Sequence, residues 1–174
     1  MFWRFLLSFL IIFLAFILQI GLIVFLPTPF SFINIVFIIL ILNSFFNKRS
    51  STNFFLILSA GLLSEMFAQI FGIFTFCLLT TFILFFWIAE HFVTNKTNIA
   101  LGLLSIFVFF VFNFLISFFS FLLNLKFGLA INYSFLNHLQ TAWTGALVNT
   151  PLILIINLFN SKFERLVKSF VIIK

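Results

Sequence analysis

The chain has 174 residues, of which 64% are hydrophobic and only 7% charged, with a net charge of +6. A soluble domain carries about a quarter charged residues. No water-soluble fold hides this much apolar surface, so the composition excludes a soluble enzyme or binding module and points to lipid as the solvent. A chain of this length makes a single integral-membrane domain, residues 1–174.

A gap of about 20 apolar residues is needed to cross roughly 30 Å of hydrocarbon. Breaks at polar and turn residues delimit six such segments. The first runs from Phe5 to Leu26 and ends at Pro27-Thr28-Pro29. At about 22 residues it exceeds the h-region of about 7–15 in a signal peptide, and no small-x-small cleavage site follows, so a retained span is expected. The second runs Phe30–Phe46 and closes at Asn47-Lys48-Arg49. The third, Phe54–Phe71, and the fourth, Ile73–Val93, are split at Gly72, because the uninterrupted stretch is too long for one crossing. The fifth is Ile99–Leu123 and the sixth Ser134–Phe159, followed by a basic tail. The expected fold is therefore an all-α polytopic bundle of about six transmembrane helices in a cytoplasmic membrane.

The bases test this count. With a cytoplasmic N-terminus, one side holds Arg4, Lys48, Arg49, Lys96, Lys162, Arg165, Lys168 and Lys174, and the other only Lys126. That division follows the positive-inside rule and places both termini in the cytoplasm. Bases scattered in short gaps form no groove for nucleic acid, so none is expected as a partner. The lone Cys77 allows no internal disulfide or paired-cysteine metal site. The 34 Phe and the absence of Asp read most simply as codon drift in an AT-rich genome, so no single Phe carries weight.

The informative residues are the polar ones inside the spans. Glu65 lies 12 residues past Asn53, about 18 Å into the bilayer at 1.5 Å per residue. An intramembrane carboxylate costs a few kcal/mol, usually faces the protein interior, and is a functional candidate by default. Gly61, Glu65 and Gln69 share one helix face by their i, i+4, i+8 spacing. On that face Gly61 admits a neighbouring helix and Glu65 meets a partner, with Asn113 or Thr141 as the bland choices. Asn113, Ser117, Ser120 and Asn124 make a second stripe in span five. Asn137, Thr141 and Thr144, with His138, Gly145 and Asn149, lie on adjoining faces of span six. These residues are expected to form a polar cluster among spans three, five and six, near the outer face. For the Ser and Thr members, hydrogen-bonded glue between helices is the simpler role. Glu90 and His91 point to different faces of span four and read as an interfacial end. Motifs for nucleophilic, metal or nucleotide chemistry are not found, so neither catalysis nor a cofactor is expected.

Gly61-Leu62-Leu63-Ser64-Glu65, followed by Gly72 at the start of the fourth span, resembles a pattern of the MreD family of bacterial rod-shape proteins. In that family the acidic position is usually Asp, so Glu65 keeps the charge but not the reach. Asn149-Thr150-Pro151 and the basic stretch Lys162–Lys168 are similar to the family's C-terminal end. The resemblance implies a non-enzymatic scaffold of the elongation machinery. It would associate with an MreC-like single-span protein and, through it, with MreB filaments and peptidoglycan synthases. The Glu65 face would then be a docking surface for the partner's helix, or a structural core beside one. The rival reading is the substrate-binding S-component of an energy-coupling-factor vitamin transporter, whose small-residue docking face is not matched by Ala15 and Gly21.

In a Cys77→Ala background, Lys126→Cys is expected to label from outside the cell and Lys48→Cys only from inside. Labelling of both from one side overturns the topology.

Overall fold

The structure, a computed structural model, describes residues 2–21, 25–28, 30–46, 51–66, 72–93, 97–127 and 135–171. Every regular element among them is helical: α1 (Phe2–Gly21), a short 3-10 turn (Phe30–Phe32), α2 (Ile35–Phe46), α3 (Ser51–Glu65), α4 (Ile73–Phe92), α5 (Asn98–Phe127) and α6 (Phe135–Val171). Among the described residues three segments are long and apolar enough to cross a membrane: Ile73–Phe92, Asn98–Leu123 and Leu139–Phe159. They coincide with the fourth, fifth and sixth expected spans, and they make this a helical membrane protein.

The second expected span departs from a continuous helix. The second span, expected over Phe30–Phe46, is a 3-10 turn followed by a 12-residue helix. At 1.5 Å per residue the described α2 covers about 18 Å and the 15-residue α3 about 22 Å, against a hydrocarbon thickness of about 30 Å, and the flanking residues 47–50 and 67–71 lie outside the described ones. The break before α2 has a local cause. Asn34 acts as its N-cap, with Oδ1 accepting the Phe37 N–H at 3.1 Å. An Asn side chain that satisfies a free helical N–H starts a helix there and not earlier. α5 is capped in the same way, Thr97 Oγ1 accepting the Ala100 N–H at 3.2 Å. α3 runs to Glu65 and a turn follows at Met66; the expected end of the third span at Phe71 lies outside the described residues.

α6 has 37 residues and is about 55 Å long, so it outruns its apolar segment and carries the Lys162–Lys168 stretch as helix. Pro151 lies inside it and brings no N–H, which removes the usual donor to the Leu147 carbonyl.

Packing neighbours close a ring in the order α1, α3, α4, α5, α6, α2 and back to α1. α2 is the most enclosed member, with Val36, Phe37, Ile38, Leu40, Ile41, Ser44 and Phe45 buried. Phe37 reaches α5, its ring 5.4 Å from that of Phe109 and 4.7 Å from that of Phe112. Asn43 Nδ2 donates to Asn53 Oδ1 at 2.7 Å and ties the end of α2 to the start of α3. α5 and α6 run antiparallel in one register. Asn157 Nδ2 donates to Asn98 Oδ1 at 2.7 Å at one end, and Ser105 Oγ donates to Thr150 Oγ1 at 3.0 Å further along. Large apolar side chains cover the outward faces, α1 most of all, as lipid contact requires.

Hydrogen bonds between membrane helices couple by about 0.6 kcal/mol on average. A double-mutant cycle of Ser105→Ala and Thr150→Val, read by unfolding in detergent or lipid, is expected to return a coupling of about that size.

Candidate functional site

The face that Gly61 and Glu65 share turns to α4, not to α5 or α6. Glu65 Oε1 accepts the backbone N–H of Thr75, in the first turn of α4, at 2.9 Å. That N–H is one of the donors that a helix start leaves without an internal partner. Gly72, the N-cap of α4, has φ +95°, in the left-handed region, and offers no side-chain acceptor. A glycine suits that backbone, and the carboxylate of the preceding helix supplies what the cap lacks. The positive end of the α4 dipole favours a carboxylate there. Gly61 makes the approach possible: a Cβ at this position would lie 2.8 Å from Thr75 Cα, which is backbone and cannot give way. Glycine at 61, the acid at 65 and glycine at 72 thus build one lock between α3 and α4. Gln69, expected on the same face, lies outside the described residues.

A second lock holds the break between α1 and α2. Asn149 on α6 is fully buried. Its Oδ1 accepts the Asn34 N–H at 2.7 Å, while its Nδ2 donates to the Phe32 carbonyl at 2.9 Å and to the Gly145 carbonyl at 2.7 Å. From the other side Gln19 of α1 donates through Nε2 to the Ile33 carbonyl and accepts the Ile35 N–H at Oε1, both at 2.7 Å. Two amide side chains, each serving as donor and acceptor, therefore clasp residues 32–35. Asn149 sits midway along the apolar segment Leu139–Phe159, so this non-helical backbone is docked at the depth of that segment's centre. Irregular backbone survives at such depth only when protein satisfies its polar groups.

Part of the expected polar cluster comes together. Asn113 of α5 with Thr141 and Gly145 of α6 line a cavity of about 110 Å³, joined by Asn34 and closed by the rings of Phe32, Phe37, Phe109 and Phe112. The expected member from span three is not there: Glu65 does not line this cavity, and its partner is Thr75 rather than Asn113 or Thr141. The reason is Gly61, which lets α4 come closest. Asn113 Nδ2 donates to the carbonyl of Phe109 at 2.8 Å, and Ser117 Oγ to that of Asn113 at 2.8 Å, so both serve their own helix. Ser117 and Ser120 are buried. Thr144 likewise bonds back to Gln140, at 2.9 Å. The side chains of Asn124, Asn137 and His138 lie outside the described ones. Glu90 and His91 are exposed on the last turn of α4, with His91 Nδ1 2.8 Å from the Trp87 carbonyl. Among the described residues no group of three His, Cys, Asp or Glu gathers.

Sequence reasoning missed Gln19, Asn34 and Thr75. Asn34 stands just before the apolar run Ile35–Phe46, which is an N-cap signal. Gln19 is the only amide in α1. Nothing local marks Thr75.

Buried groups left without a partner cost about 1–3 kcal/mol each. Asn149→Leu orphans the Asn34 N–H and the Phe32 carbonyl, and is expected to destabilise the fold by about 2–5 kcal/mol in an unfolding assay. Glu65→Leu is expected to cost about 1–3 kcal/mol, whereas Glu65→Gln, which keeps an acceptor for Thr75, stays within about 1 kcal/mol of wild type. Equal losses for the two Glu65 variants would remove the capping role. No protein-family model, curated protein or solved structure matches the chain, so its function is read from its own residues.

Proposed function

We propose that the chain is a non-enzymatic scaffold of the bacterial cytoplasmic membrane, a subunit of the cell-elongation machinery of the MreD kind. In this reading six crossings place both termini in the cytoplasm. The bundle docks an MreC-like single-span protein and so links MreB filaments to peptidoglycan synthases. One observation carries it: the residues that bear the resemblance sit where helices are joined. Gly61 and Glu65 meet Thr75, Gly72 opens α4, and Asn149 pins the break before α2. A protein whose membrane-buried polar groups serve its own backbone is suited to shape a surface for other helices. The partner's helix then meets the lipid-facing apolar surface, and Glu65 belongs to the core beside it.

The vitamin-transporter reading draws on the cavity at Asn34, Asn113 and Thr141. At about 110 Å³ that cavity is well below the roughly 300–1,000 Å³ of pockets that enclose small-molecule ligands.

A tagged chain, isolated gently from its own membranes with mass spectrometry of what accompanies it, tests the reading. Recovery of an MreC-like protein or cell-wall synthases is the expected outcome, unchanged by Glu65→Gln because that carboxylate is turned inward. Recovery of transporter ATPases with a bound vitamin overturns the scaffold role.

A further inference from the structure

The α3–α4 lock contains two buried oxygen atoms that have no hydrogen-bond partner among the described residues, Glu65 Oε2 and Thr75 Oγ1. They belong to the pair of residues already joined through Glu65 Oε1 and the Thr75 N–H. Glu65 is 4% exposed. Buried polar atoms are almost always paired, and two exceptions on one residue pair require a reason. Charge sharpens the point. A carboxylate removed from water needs compensation, and the α4 N-terminus contributes at most about half a charge, on the Oε1 side. Among the described residues no Lys, Arg or His bonds to Glu65.

We infer that Glu65 Oε2 and Thr75 Oγ1 are ligands for a monovalent alkali cation. The donor set is all oxygen, which suits hard cations. One carboxylate balances one positive charge, whereas a divalent ion would leave an excess charge buried. The missing third His, Cys, Asp or Glu among the described residues also leaves a transition metal short of ligands. α3 ends at Glu65, so its last carbonyls, beyond the Leu63 carbonyl that accepts the Met66 N–H at 3.3 Å, are a further source of oxygen. In secondary transporters the C-terminal ends of interrupted helices coordinate cations through such carbonyls. Thr75 Oγ1 packs against Gly61, where a Cβ would stand 2.9 Å from it, so a larger residue at 61 would displace the hydroxyl. The bound ion makes the α3–α4 hairpin depend on the salt around it. This holds whichever complex the chain joins.

The test is the melting temperature of the purified full chain in lipid nanodiscs, in NaCl, KCl or choline chloride at equal ionic strength and pH. An alkali salt is expected to raise it by about 2–4 °C over choline, in a saturable way. Thr75→Ser keeps the response. Thr75→Val abolishes it while leaving the backbone bond to Glu65, and Glu65→Gln abolishes it too. Equal melting temperatures in all three salts overturn the inference in favour of a buried water. A shift that follows pH and ignores the cation overturns it in favour of a proton on Glu65. A response that survives in both Thr75→Val and Glu65→Gln puts the ion elsewhere and also overturns it.

Discussion

Hydrocarbon offers no hydrogen bonds, so every peptide group that leaves a helix inside the bundle has to find a protein partner. Residues 32–35 leave the helix at the depth where Asn149 sits, and four of their polar groups are met by Gln19 and Asn149. Primary amides are the side chains for this work, because each carries a donor and an acceptor and no charge. The consequence spreads through the fold. With the break fixed there, α2 begins deep in the bundle and takes its place in the ring as its most enclosed member. Phe37 then falls against Phe109 and Phe112, and α5 and α6 take their places beside it.

The lock at Glu65 solves the same problem with a different group. α4 starts at a glycine that offers no acceptor, and the acid at the end of α3 provides one. A charged acceptor makes a stronger bond than an amide would, but it brings a charge into a region that disfavours it. That is why its second oxygen is the most informative atom in the molecule.

Much of the architecture was legible from polarity alone. The last three long helices follow from apolar length and from the breaks at Thr94–Asn98 and beyond Leu123. Gly61 and Glu65 could be put on one face by helical spacing, and Asn149 could be singled out as an amide within an apolar run. What they would touch could not. A glycine says that something approaches closely and is silent about which helix, so α4 was not distinguishable from α5 or α6. The short α2 was hidden by its own hydrophobicity: Phe30 to Phe46 reads as one apolar run, and only the cap geometry of Asn34 divides it. Gln19 was passed over because a lone amide in a lipid-facing helix carries no periodic signal.

The clasp at Asn149 also sets an order of events. Asn34 and Asn149 are 115 positions apart, and ribosomes add about 5–20 residues per second. For on the order of ten seconds the nascent chain holds an early break whose peptide groups lack half of their eventual partners. Until α6 is made, those groups must stay in contact with water or with the insertion machinery. The arrival of α6 therefore supplies the missing partners, so a late helix acts as a checkpoint on an early break.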